Sequence, residues 1–353
     1  MYKTLPASAY HLQTTQRIPP TSTDKVGTAY IVDQNNFSAL SGVTCYTLEV
    51  WDESMRLPHW HPNASELGYV VSGSLEIIIW RSPGESAVFT LTAGMCWFIP
   101  QAALHSLNNI GKEPAKLLVG FSSELPEDID MPVAWNGIPA PLRNAYTSPH
   151  KELLQWKGVI NNPLVGHYNN ISSLQHVLTA SPYGFDLHKV TPLFKDEQLG
   201  SVIWGVKSNW SILENISVLL AQLKPGVARD AIWYPDVGTL YVIAKGSAEF
   251  HLIIAGQEPK PFIANQFDYV YVPAGILHTF INTSQTDFEA VAFFTKADPQ
   301  PEVSLSVSTA FFPNIVRQSA MTQFGLQNLG GNPLKELNYT KETPYLIPIT
   351  KGS

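Results

Sequence analysis

The chain has 353 residues, 44% hydrophobic and only 14% charged, which is enough for two domains that each bury a full core. A formal net charge of −7 gives no electrostatic ground for binding nucleic acid or an anionic membrane, and two cysteines, Cys45 and Cys96, are too few for a disulfide framework. With 27 prolines and 23 glycines marking frequent turns, short strands are expected rather than long helices.

Residues 1–27, rich in Thr, Gln and Pro, read as an N-terminal arm that gains order by packing on something else. The start, Met1-Tyr-Lys-Thr-Leu-Pro-Ala-Ser, lacks the basic segment and sustained apolar run of a secretory signal, and no later run approaches the ~20 apolar residues of a membrane span. A soluble, cytoplasmic protein is the expectation. From Thr28 the pattern changes to strands with β-branched and aromatic enrichment: Thr28–Asp33, Val43–Trp51, Leu67–Val71 and Leu75–Trp80. Val88–Leu91, Cys96–Ile99 and Lys116–Phe121 continue the series, which predicts a closed sandwich or barrel without exposed edges.

Potential metal ligands fall within this series at restrictive spacing. In Arg56-Leu-Pro-His59-Trp-His61, alternation along a strand puts both imidazoles on one face and Trp60 on the other. Glu66 follows a Pro-Asn-Ala-Ser turn that lets the next strand bring a carboxylate to the same point. The candidate for a fourth ligand is His105, after the short apolar strand that ends at Pro100. Three imidazoles and a carboxylate suit Mn, Fe, Ni, Co or Zn better than the all-oxygen preference of Ca or Mg.

The stretch with His59, His61, Glu66 and Gly73, and that with Gly94, Pro100, His105 and Asn109, resemble the two motifs of the cupin superfamily. The resemblance implies a mainly β fold of double-stranded β-helix (jelly-roll) barrels with short accessory helices. It implies a metal site made of His59, His61, Glu66 and His105, with manganese placed first among the candidate ions. The second motif departs at Ala102, where the family usually has glycine.

The programme then repeats. Gly73 and Gly246, Pro100 and Pro273, His105 and His278, Asn109 and Asn282, and Phe121 and Phe294 are each 173 residues apart, so the chain reads as a duplicated barrel. The expected division is barrel one with a trailing helix over 28–155, a linker over 156–195, barrel two with a trailing helix over 196–325, and a tail over 326–353. The trailing helices start near Pro139 and Pro313, and could pack between the halves or between subunits, which admits a homo-oligomer. In the second barrel Ile232, Tyr234 and Thr239 stand opposite His59, His61 and Glu66, so only His278 survives and one metal ion per chain is expected. Arg229 stands opposite Arg56, and with Tyr234 and His278 it would line either a leftover pocket or, as we expect, a filled core.

Arg56 lies three positions before His59, on the opposite parity of an ideal strand. In the oxalate decarboxylase branch of the duplicated cupins an arginine at this position binds the substrate carboxylate, which implies that role for Arg56 through paired hydrogen bonds. That branch also uses a glutamate on a segment after the last strand of the barrel; its Ser-Glu-Asn-Ser lid is absent here, leaving Glu124 and Glu127 as candidates. Leu117–Ser123 is similar to the germin-like oxalate oxidases. The expected function is therefore metal-dependent decarboxylase or oxidase chemistry on a small carboxylate. The alternatives are a cupin dioxygenase or isomerase with another substrate, and a non-catalytic ligand-binding protein.

Overall fold

The alternating segments of the first half pair as antiparallel strands in two facing sheets. The computed structural model describes residues 5–20, 26–81, 85–147, 164–166, 181–310 and 345–349. One sheet has the order Gly184–Asp186, Met95–Ile99, Glu66–Ser72, Ala115–Phe121, Thr44–Val50, Gly27–Tyr30. The other runs Ile129–Asp130, Ser54–Trp60, Leu104–Asn109, Ser74–Arg81, Glu85–Thr92, with Leu164–Gly166 added beside Ser54–Trp60. The second half is built the same way, with a sheet centred on Thr239–Lys245, Phe288–Phe294 and Ser217–Leu223 facing another around Ser247–Ile253 and Leu277–Ile281.

The 173-residue offset read from the sequence is also the offset of the strand register. His59 pairs with His105 as Ile232 pairs with His278, and Glu66 pairs with Ile99 and Phe121 as Thr239 pairs with Val272 and Phe294. The substitutions in the second barrel therefore occupy the places that the ligands hold in the first.

Strand Thr44–Val50 shows why the first sheet is apolar on both faces. Tyr46, Leu48 and Val50 join the interior of the first barrel, while Cys45 joins the core that spans both barrels. Across that contact Thr47 and Tyr269 share a hydroxyl hydrogen bond of 2.6 Å, and the Tyr69 hydroxyl donates to Glu289 at 2.8 Å. The sheets approach closely enough that a Cβ at Gly120 would lie 2.5 Å from the Phe293 ring, so this position requires glycine.

The connecting segments are more ordered than their composition suggests. In the arm, His11–Leu12 adds a strand to the second barrel beside Tyr269–Val272, and His11 stacks on Phe262 while pairing with Asp268. Within the region read as linker, Gly184–Asp186 pairs with the first barrel and Phe194–Asp196 with the second. A helix at Ala140–Thr147 follows Pro139, preceded by an unanticipated helix, Met131–Gly137, that carries Pro132 in its first turn. The helix expected after Pro313 lies outside the described residues; Leu305–Ala310 is helical just before it. Among the described residues no helix is long and apolar enough to cross a membrane.

Candidate metal centre

The site forms where the two sheets of the first barrel face each other. His59 and His105 come from neighbouring strands of one sheet, Glu66 begins a strand of the other, and His61 lies just past the end of Ser54–Trp60. Strict alternation would send Arg56 to the face opposite His59. Instead the pairing with Leu104–Asn109 shifts register between Arg56 and His59, an irregularity that lets both side chains line one cavity.

The potential ligand atoms of His59, His61, Glu66 and His105 lie within 4.8 Å of one another, and all four residues are at most 2% exposed. Each ring is held from behind: His59 Nδ1 donates to Leu57 O at 2.6 Å, and His105 Nδ1 donates to Ala103 O at 2.9 Å. His61 Nδ1 reaches Asp128 Oδ1 at 2.6 Å and Glu127 O at 3.1 Å. These bonds fix the tautomers and leave the three Nε2 atoms for the centre of the site. Glu66 Oε2 lies 3.0 Å from His61 Nε2 and 3.1 Å from His105 Nε2. Its other oxygen accepts from the Trp97 indole at 2.6 Å, and Trp97 fits only because its cross-strand neighbour is Gly68, where a Cβ would come within 1.9 Å of the ring.

The electrostatics suit a cation. Burial alone would raise the Glu66 carboxyl, but His105 and His61 hold it well below the ordinary carboxylate range. Burial lowers His59, and Arg56, His105 and His61 lower it further. Burial also acts to lower His61, yet the Asp128 and Glu66 carboxylates prevail and raise it to about 9. Three convergent imidazoles with backed Nδ1 atoms and one buried carboxylate fit a divalent transition metal.

Arg56 is 4% exposed, and its guanidinium donates from Nη1 to Asp130 at 2.5 Å and from Nη2 to Asp128 at 3.2 Å. The segment after the last strand thus brings an acid to the site, but a different one from those expected. Glu124 turns its carboxylate to the Gly42 N–H at 2.7 Å, and Glu127 is exposed and contributes only its carbonyl to His61. Asp128 and Asp130, and not Glu124 or Glu127, place their carboxylates on Arg56 because the chain re-enters the sheet at Ile129–Asp130, beside Trp60 and His59. The signal available was their i, i+2 spacing, which puts both carboxylates on one side of a strand.

Arg56, His59, His61, Glu66 and Asp128 line a cavity of about 20 Å³ whose remaining walls include Tyr46, Leu48, Leu107, Val119 and Phe121. A larger groove of about 850 Å³ near Phe89 and Phe185 contains none of the ligands and carries no part of this chemistry. The turn before His105 includes Ala102, with φ of 61°, and the equivalent Gly275 has φ of 77°. Alanine is strained in this left-handed region, so Ala102→Gly should stabilise the protein by about 0.5–1 kcal/mol, read as a higher denaturant midpoint.

The second barrel fills the same space with hydrogen bonds. Tyr241 donates to His278 Nε2 at 2.8 Å, and His278 Nδ1 donates to Ile276 O at 3.1 Å. Glu302 accepts from both Arg229 and Tyr234, and Arg229 is 1% exposed, so this group is a packed core. Burial lowers His278 to about 4, so the unfolded chain takes up its proton first on acidification. Stability from this group is complete above its ordinary value and is lost as the pH falls towards 4. It should amount to about 2 kcal/mol between pH 7 and pH 5, a loss that His278→Gln removes when urea midpoints are compared at the two pH values.

The profile described as Cupin matches residues 13–147 and 201–329, one match per barrel. An oxalate decarboxylase of Bacillus subtilis is 32% identical over 105 residues, covering 30% of this chain and 27% of the relative. An oxalate decarboxylase of Arthroderma benhamiae is 23% identical over 299 residues, covering 76% of this chain and 69% of the relative. Among solved structures, the Bacillus subtilis oxalate decarboxylase superposes with a TM-score of 0.83 at 18% identity, covering 97% of this chain and 88% of that one. A further structure of that enzyme is described with Mn(II) centres.

Proposed function

The chain belongs to the cupin family, with one copy in each half, and from that membership we propose a manganese-dependent enzyme acting on oxalate or a similarly small dicarboxylate. The observation that carries this reading is a buried guanidinium, Arg56, in the same small cavity as His59, His61 and Glu66. Oxalate decarboxylases from a bacterium and a fungus among the relatives support it.

The ion held by His59, His61, Glu66 and His105 would supply Lewis-acid stabilisation of a carboxylate and a relay for electrons. The remaining work belongs to the chain. Arg56 pairs with the far carboxylate and fixes its orientation by parallel charge-assisted hydrogen bonds. Leu48, Leu107, Val119 and Phe121 line the cavity and keep water from the reacting carbon. Asp128, between Arg56 and His61, is held as a carboxylate by those two groups in the substrate-free site.

The test is turnover of oxalate by protein loaded separately with Mn, Fe, Co, Ni and Zn. Carbon dioxide with formate identifies a decarboxylase and hydrogen peroxide an oxidase. Inactivity with every ion contradicts the reading.

A further inference from the structure

His61 differs from every other histidine of the two sites in what holds its outer nitrogen. His59, His105 and His278 each donate Nδ1–H to the carbonyl two residues earlier, inside their own strand region. His61 is held from another part of the chain, by Asp128, whose second oxygen lies on Arg56 Nη2. One carboxylate therefore spans a metal ligand and the arginine assigned to the substrate.

The second barrel repeats this arrangement. Ile129–Asp130 and Val303–Ser304 are equivalent strands, pairing with His59–Trp60 and Ile232–Trp233 respectively, which makes Glu302 the counterpart of Asp128. Glu302 likewise bridges the arginine, Arg229, and the residue in the His61 position, Tyr234. The two bridges differ in burial: the Glu302 side chain is 4% exposed and that of Asp128 is 28% exposed. The same acid that seals one barrel stands at the accessible edge of the other.

The cavity gives that edge a purpose. At about 20 Å³ it accommodates roughly one water, so a dicarboxylate enters only when a wall moves. Asp128 lies on an irregular stretch between Ala115–Phe121 and Ile129–Asp130, whose near end is bonded to Ser65, Gln34 and Gly42 through Ser122 and Glu124, and whose far end, next to Asp128, is bonded to Asn63. Asn63 donates to Leu125 O at 2.9 Å and accepts from Glu127 N at 2.8 Å, and both bonds are exposed, so the end next to Asp128 can move while the part-buried bonds of Ser122 and Glu124 stay in place.

We infer that Asp128 is a clasp: its carboxylate occupies the substrate's place on Arg56 and is displaced when a carboxylate substrate binds. Asp130 stays on Nη1, Asp128 leaves Nη2, and His61 exchanges its carboxylate partner for the Glu127 carbonyl alone or for water. Asp128 thereby sets a threshold for entry, since only an anion that binds Arg56 and the metal together outcompetes a tethered carboxylate. This inference rests on the carboxylate reading of the site.

The experiment is calorimetric titration of oxalate into protein loaded with zinc, a redox-inert ion, for wild type, Asp128→Asn, Asp128→Ser and Glu127→Gln. With zinc in excess so that every protein stays loaded, the clasp predicts about tenfold tighter oxalate binding in both Asp128 variants. It predicts no change in Glu127→Gln, which removes a neighbouring charge without touching Arg56. A purely structural Asp128 gives equal or weaker binding in both of its variants and overturns the clasp while leaving the carboxylate reading intact. Equal tightening in Glu127→Gln reduces the effect to net charge and also overturns it. Oxalate binding to none of the proteins overturns the clasp and the carboxylate reading together.

Discussion

Replacing His59 and His61 together by alanine should empty the metal site and abolish turnover. Affinity at such a site comes from several ligands converging, and this change leaves only Glu66 and His105, whose Oε2 and Nε2 atoms are 3.1 Å apart and close on each other. Metal content should fall below about a tenth of the wild-type value, because each lost ligand costs at least the 10–100-fold that loss of a mere supporting partner costs. The fold survives, since the barrel interior around Leu75, Ile77, Ile79 and Leu117 is apolar packing that includes neither histidine. The check is a melting scan with and without added manganese: wild type is stabilised by the ion and the double variant is indifferent to it. A variant that still gains stability from manganese would mean that the ion binds elsewhere.

Arg56→Ala should produce the second largest effect, in stability as well as catalysis. The guanidinium is 4% exposed and paired with Asp130 and Asp128, so its removal leaves Asp130 without its counter-charge and Asp128 with His61 alone. Breaking a buried pair from one side costs about 3 kcal/mol, most of it the uncompensated charge. In catalysis the loss should appear in kcat/KM for oxalate by about two orders of magnitude, because the substrate loses a charge-assisted pair of hydrogen bonds. Metal content should be unchanged, since Arg56 is not among the converging ligands. A variant that loses the ion but keeps its kcat/KM when the ion is restored would make Arg56 a structural residue alone.

The ligands were legible because their information is local or periodic. His59 and His61 at i, i+2, Glu66 after a turn and His105 beyond a short strand define the first site, and the 173-residue repeat shows what the second barrel lost. What was not legible depends on pairing between distant segments. The register shift after Arg56 is set by the partner strand Leu104–Asn109, so counting parity along Arg56-Leu-Pro-His59 misplaces the arginine. The choice of Asp128 over Glu124 or Glu127 depends on where the chain re-enters the sheet beside His59, which composition does not encode.

A third feature was present in the sequence but needed the pairing to be understood. Gly68 faces Trp97 across two strands in the first barrel, and the same places in the second hold Tyr241 and Val270. The large ring has changed strands. In the first barrel the Trp97 indole holds one oxygen of Glu66 and leaves the other for the ion; in the second the Tyr241 hydroxyl reaches His278 Nε2, the atom that would face a metal. Exchange of one cross-strand pair thus accompanies the loss of three ligands and puts a hydroxyl on the nitrogen that would face a metal.

The central claim is that the first barrel alone holds metal, and elemental analysis of the purified protein tests it most directly. The account predicts about one transition-metal ion per chain, carried by His59, His61, Glu66 and His105, and the same content in His278→Ala. Two ions per chain, or loss of metal on replacing His278, would contradict it.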